Sequence, residues 1–463
     1  LFVGAWLTEG CGDCTTNGCK NACCVLDQNY YAAEAACAAD NARLCTVEEL
    51  EAGCAGYNGC GHNADYLWSS TPCSVDNTED AQRLAAKLIL GTSEFRTTAD
   101  NRLLSTPRVP MPDIQSQGRP YKAVILFFMD GGADTHNLVV PHSNCAASDM
   151  YAQYQEVRGV GDGGMALMPN QLLPINLPAG SQPCDTFGMH YKLPNLKQMF
   201  DDGDLSFYAD IGALVEPLTL QEYRAKSKRM PGNLGSHAHQ TKTAMNVHAQ
   251  FTGAKGILGR IVDALSTQDN AYRSAAFSIV GNQKATQGDR APTYIHFRRG
   301  IAEFVQYGQI AHHYHNISAL ESLSLFANTW AESLASTLVA SRTIAELYAA
   351  GDTTESFSIY CPKLVSCTLA DQLKAVAKMM SVREQSGNER EVYLVSMGTY
   401  DYHQDTRGLF ANSMEVVDSS IAAFKREMVN QGIWDNVVIA TASDFGRSLT
   451  SNGLGTDHAW SGN

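Results

Sequence analysis

The chain has 463 residues, 44% of them hydrophobic, and its 48 acidic against 34 basic side chains give a formal charge of −14. That length exceeds one ordinary core, so two or three domains are expected. The negative field argues against nucleic acid or anionic membrane as a main partner while permitting hard cations. No run approaches the roughly 18 consecutive apolar residues of a membrane span. The chain opens at Leu1 with no initiator methionine and no leader-like stretch, and stops at Asn463, so it reads as a processed or partial product.

Ten of the 14 cysteines precede position 74, at 11, 14, 19, 23, 24, 37, 45, 54, 60 and 73. An even number in a segment too small to be held by its core reads as a disulfide framework made in an oxidising compartment. Zinc is the weaker reading of Cys11-x-x-Cys14, because no second pair follows and His62 is the segment's one histidine. The first helical patterns run from Tyr31 to Ala39 and from Thr46, the latter with Glu48 and Glu49 in its first turn. The pattern ARLCTVEELEAGC, then YLWSS and TPC, resembles a small cysteine-rich module of secreted proteins. The resemblance implies that residues 1–76 form an accessory domain for attachment to extracellular protein or carbohydrate; an acidic, disulfide-stapled spacer is the alternative. Residues 77–120 then supply a helix in DAQRLAAKLIL and a linker punctuated by Pro107, Pro110, Pro112 and Pro120.

From Tyr121 the pattern changes. The run YKAVILFFM is apolar without alternation, as in a parallel strand buried on both faces, and it stops at Asp130-Gly131-Gly132. Ligands of open α/β sheets bind at that end of the strands, so Asp130, Asp134, Thr135, His136 and Asn137 are placed where chemistry would be. An Asp-Gly turn closing an ordinary strand explains the same residues. Further on, residues 188–202 read as a helix and 205–213, LSFYADIGA, as the next buried strand. Strands are also expected at 275–280, 391–397 and 436–442, with helices at 256–265, 317–350 and 414–430. This alternation predicts an α/β, doubly wound, mostly parallel sheet over residues 121–463. Asn316-Ile317-Ser318 is a glycosylation sequon. The even set Cys145, Cys184, Cys361 and Cys367 suits two further disulfides, with Cys361 and Cys367 near enough in sequence to pair.

Three later strand ends repeat the pattern of Asp130. GTYDYHQD presents Asp401 and His403, SDFGRS presents Asp444 and Arg447, and GTDHAW presents Asp457 and His458. Each alone matches a surface hydrogen-bonded pair; together, at the ends of consecutive strands, they suit a divalent metal. In GSHAHQT, Ser236 opens a helix, which makes it an N-cap or, by the same geometry, a nucleophile beside an anion site; His237 follows it.

Taken in order, GGADTHNLVVP, GMHYKLPNLKQMFDDGDLSFYADIG, GSHAHQT, GTYDYHQD, SDFGRS and GTDHAW resemble the sulfatase-like proteins catalogued as domain of unknown function 1501, a branch of the alkaline phosphatase superfamily. That resemblance implies an alkaline phosphatase-like fold and a secreted hydrolase of phosphate or sulfate esters, acting on an anionic small molecule or polysaccharide ester. It also implies one or two divalent ions (zinc, calcium, magnesium or manganese) held by Asp130, Asp401, His403, Asp444 and His458. Ser236 or Thr135 would be the nucleophile and Arg447 would support the anion. Asp134, His237 and Asp457 are further candidates. Phe445-Gly446-Arg447 stands where active phosphatases carry an Asp-His, so one metal site is expected to lack an imidazole. A non-catalytic extracellular assembly protein and a calcium-dependent binder are the alternative functions.

Overall fold

The protein is represented by a computed structural model, which describes residues 114–290, 292–301 and 341–459, together with 3–6, 24–25, 66–67, 103–107, 312, 316, 319–322 and 330–331. The N-terminal cysteine pairing, its helices and most of the linker lie outside the described residues. Asn316 is described and exposed; the rest of its sequon is not. Contacts divide the chain into Leu1–Leu104 with Ser322–Ala327, and Ser105–Glu321 with Asn328–Asn463.

The second unit is built on the run that begins after Tyr121. Strand β1 (Lys122–Met129) is followed by a three-stranded antiparallel excursion, β2 (Val139–Cys145), helix α1 (Met150–Arg158), β3 (Leu172–Asn176) and β4 (Cys184–His190), ordered β2-β4-β3. Then come α2 (Pro194–Asp201), α3 (His237–Asn246), α4 (Ile257–Ser266), β5 (Ser274–Ser278), β6 (Thr293–His296) and β7 (Gly300–Ile301). Helix α5 (Thr368–Ser381), β8 (Arg390–Met397), α6 (Thr406–Asn430) and β9 (Val437–Ser443) complete it. The main sheet has the order β7-β6-β5-β8-β1-β9 and is parallel except for the β6–β7 hairpin.

The absence of alternation in β1 has a direct cause. Ile125 and Phe127 pack under α5 and α6, while Leu126 and Phe128 face α3 and α4, so both faces of the strand are covered. Burying each such side chain is worth about 1.5–3 kcal/mol, which explains why apolar residues fill consecutive positions. Met129 lies level with Met397 of β8 and with Ser443 of β9. The residues that follow, including Asp130 and Asp444, therefore leave the sheet side by side.

Several expected elements differ. Residues 188–190 finish the antiparallel strand β4, and the helix begins only at Pro194, whose ring suits the first helical turn and keeps the preceding residue out of helical geometry. The segment 205–213 is not a buried strand: Phe207, Tyr208 and Ile211 are exposed, and the sheet ends at β9. Asp204, just before it, is held by Lys425 Nζ at 2.6 Å and Trp434 Nε1 at 3.1 Å, and the run itself pairs with no strand among the described residues. A short apolar run shows strand tendency but not a pairing partner. Within the expected helix 317–350, Leu320–Ser322 is extended and residues 341–350 are helical.

Among the described residues there are two disulfides, Cys145–Cys184 and Cys361–Cys367. The first joins directly opposed positions of β2 and β4. No helix among the described residues is long and apolar enough to cross a membrane. The disulfides are compatible with an oxidising, extracellular setting.

Candidate metal centre

The loops after β1, β8 and β9 meet the start of α3 at the C-terminal edge of the sheet. Their close approach depends on two glycines. A Cβ on Gly131 would lie 2.6 Å from the Asp401 backbone nitrogen, and one on Gly132 would lie 2.6 Å from the Phe445 ring. Thr399, in the turn before Asp401, holds φ +83°, a costly conformation for a β-branched residue and a sign that the turn is shaped by the site rather than by local preference.

Around this junction four side chains converge. His458 Nε2 is 3.0 Å from His237 Nε2, 3.0 Å from His403 Nε2 and 3.2 Å from Asp401 Oδ1. Asp401 Oδ1 is also 3.4 Å from His237 Nε2 and 3.0 Å from His403 Nε2. His237, Asp401 and His458 form a compact potential ligand set.

The far nitrogen of each ring explains why the near ones matter. His237 Nδ1 is 2.5 Å from Asp444 Oδ2, His458 Nδ1 is 2.7 Å from the Gly235 carbonyl, and His403 Nδ1 is 3.3 Å from Asp457 Oδ1. Carboxylates and carbonyls only accept, so all three rings donate through Nδ1. A neutral imidazole then has its lone pair on Nε2, and three such lone pairs face one another around a carboxylate oxygen. A shared cation would relieve the crowding of those lone pairs. The separations also fit: ligands about 2.0–2.1 Å from a zinc-sized ion stand about 3.3 Å apart in a tetrahedron and about 2.9 Å apart in an octahedron.

Asp444 and Arg447, which support the cluster, are more buried than the converging side chains. Asp444 Oδ1 accepts from the Gly131 and Gly132 amides at 3.0 and 2.6 Å and from Ser443 Oγ at 3.1 Å, so Asp444 stands behind His237. Phe445 stacks on the His237 ring at 4.8 Å. An imidazole does stand beside Asp444, that of His237 at the start of α3, held to it by a hydrogen bond. Arg447 is fully buried; it donates to Asp401 Oδ1 at 2.6 Å, Thr456 Oγ1 at 3.1 Å and Thr456 O at 2.7 Å. Partial burial pushes the Asp401 carboxyl up, but the bond and charge of Arg447, with His237 and His403, outweigh it and hold the group below its ordinary range.

The other candidates take separate places. Asp130 ends β1; burial, then the charge of Asp444, pushes its carboxyl up against the pull of His237. Asp134 pairs with Arg158 in a buried ion pair. Thr135 opens a single 3₁₀ turn, Thr135–Asn137. Ser236 is the N-cap of α3, yet its hydroxyl makes no cap bond. Asp457 is exposed and also accepts from Asn452 Nδ2 at 2.9 Å. The Gly235 carbonyl and Thr456 carry no sequence signal of a role, because one acts through its backbone and the other through a buried arginine.

A family model described as a protein of unknown function, DUF1501, matches residues 121–463. The chain belongs to the DUF1501 family. The match begins at β1 and includes every residue of the converging cluster. No curated protein and no solved structure matches the chain.

Proposed function

We propose that this DUF1501 chain is a secreted, metal-dependent hydrolase of phosphate or sulfate esters with an alkaline phosphatase-like fold. The observation that carries the reading is the set of three imidazoles pinned through Nδ1 with their Nε2 atoms facing one carboxylate oxygen. His237, His458 and Asp401, with His403 alongside, would hold the ion. Imidazole-rich donors favour zinc or another late transition metal over calcium, magnesium and manganese, which prefer oxygen, and so speak against the calcium-dependent binder. A bound divalent ion would supply Lewis-acid stabilisation of charge on a phosphoryl or sulfuryl oxygen.

The chain's residues do the rest. Asp444, Gly235 and Asp457 fix the tautomers, and Arg447 fixes Asp401 and balances its charge. Ser236, one residue from His237 and at the positive end of α3, is the first choice of nucleophile, with Thr135 in reserve. Its Oγ bonds to phosphorus or sulfur as the ester oxygen leaves and takes up a proton. Water then cleaves the serine ester, so the net products are an alcohol and phosphate or sulfate.

One observation favours a non-catalytic metal protein instead. The Arg447 guanidinium is enclosed and bonded to Asp401 and Thr456, so it does not face a substrate. Elemental analysis beside hydrolysis of aryl phosphate and aryl sulfate separates the readings. Stoichiometric transition metal with turnover lost in Ser236→Ala and His237→Ala supports the hydrolase. Metal without turnover supports the binding protein, and absence of metal in protein purified without chelator would sink both.

A further inference from the structure

A cavity of about 650 Å³ lies at the other side of the same sheet, between the tip of the β6–β7 hairpin, α5 and the helix through residues 341–350. In a chain of net charge −14, its walls carry Arg298, Arg299, Lys374 and Lys378 against the single acid Asp371. The charge follows from two local structures. The hairpin pairs His296 with Gly300, which leaves Phe297, Arg298 and Arg299 as its tip. On α5, positions 371, 374 and 378 recur at helical spacing and share one stripe.

Two of the cations are occupied. Arg298 Nε is 3.5 Å from Asp371 Oδ2, and Lys378 Nζ lies 4.7 Å from the Tyr348 ring centre. The side chains of Arg299 and Lys374 have no partner among the described residues. The volume lies in the range of small-molecule sites, and the rings of Phe297 and Tyr348 give it apolar walls that a lone inorganic anion would leave wet. Clustered cations with aromatic faces match a sugar ring bearing sulfate or carboxylate groups.

Its placement links it to the metal centre. β6 is parallel to β5, so the hairpin tip leaves the C-terminal edge of the sheet, and Gln372 of α5 bonds Ser396 near the end of β8. The strand order β6-β5-β8-β1 sets the two sites two to three strands apart along that edge, roughly 10–15 Å measured across the strands, and α5 and α3 cover opposite faces of the sheet, so a bound chain must pass over the edge to span both. We propose that the cavity is a subsite for an anionic sugar unit, holding a sulfated or uronic polysaccharide whose neighbouring units reach the metal centre. Binding stands on the cavity alone; the part played by the neighbouring units rests on the hydrolase reading.

The test uses the full chain, with dextran sulfate, polygalacturonate and uncharged dextran as probes at low and moderate salt. Dextran sulfate or polygalacturonate is expected to bind, and dextran not to bind. Arg299→Ala with Lys374→Ala should weaken binding at least tenfold and flatten its salt dependence, while Arg299→Lys with Lys374→Arg stays within threefold. His237→Ala should lose metal and turnover but keep this binding, and that same binding in a wild-type protein lacking turnover would uphold the subsite while overturning the hydrolase reading. Unchanged affinity in the double alanine variant, equal binding of dextran, or tighter binding of single-stranded DNA than of either polyanion overturns the proposal.

Discussion

Asp444→Asn is the most informative single change at the centre. The substitution keeps the size of a buried side chain, and its amide oxygen can still accept from the Gly131 and Gly132 amides and from Ser443. Its nitrogen, however, would face His237 Nδ1, now 2.5 Å from a carboxylate oxygen. Two donors cannot share that contact, so His237 must carry its proton on Nε2, the atom turned toward His458 and Asp401. The ligand becomes a donor. Loss of a partner that orients a metal-bound histidine costs about 10–100-fold in affinity, or about 1.4–2.8 kcal/mol. Stability without metal should change by less than about 1 kcal/mol, because the neutral bonds persist. Chelator competition for zinc at neutral pH measures the affinity, and thermal melts with excess chelator measure the fold. If Asp444→Asn binds zinc within threefold of the parent chain while folding normally, the reasoning about pinned tautomers is wrong.

His190 gives a pH-dependent prediction away from the centre. It is fully buried against Tyr191 and Phe410, and desolvation, with Lys192 nearby, lowers its pKa from 6.5 to about 4. Between those values the unfolded chain binds a proton that the folded chain refuses, so stability should fall by about 3 kcal/mol as pH drops through that window and then level off. His190→Leu should remove that slope in pH-dependent denaturant melts. Glu389 shows the opposite sign: its bond to Arg119 and the bonds from the Gln117 and Arg119 amides hold its pKa down to about 2, so its contribution is present above about pH 4.5 and lost on acidification toward pH 2. Glu389→Gln should cost about 2 kcal/mol at neutral pH in the same melts and flatten the acid limb. For the disulfides, the enclosed chain lengths predict a loss of about 4 kcal/mol without Cys145–Cys184 and about 2 kcal/mol without Cys361–Cys367. Paired Cys→Ser variants, melted separately, test that order.

The sheet was legible where burial on both faces left an unbroken apolar run, as in β1 and β8; β9, an edge strand with Val438 exposed, was legible from its apolar run alone. Asp401 and Asp444 were legible because each follows such a run, and parallel register carries them to one edge; Asp457 and His458 follow no strand, and an isolated bridge from His458 to Arg447 brings them there. His237 was harder to rank. It sits at the start of a helix whose serine offers a simpler explanation, and only the fold brings its ring to Asp444. The antiparallel excursion β2-β4-β3 and the exposed segment 205–213 depend on which chain segment reaches which edge, and a strand's own composition does not record that. Arg447 was readable as a functional cation but not as an enclosed one, since its partner Asp401 comes from the loop after β8 and Thr456 from further along its own segment.

Gly131, Gly235, Asp401 and the segment carrying both Asp444 and His458 are far apart in the chain, and each helps complete the site. An unfolded chain therefore presents no local fragment with the same donor set, and a ligand that binds only the native state adds RT ln(1 + [L]/Kd) to stability. Metal uptake and global folding would then form one linked equilibrium. The melting temperature should climb with free metal concentration, and metal release should coincide with loss of the parallel sheet instead of preceding it. In a compartment where the ion is scarce, metal supply would set the lifetime of the folded chain.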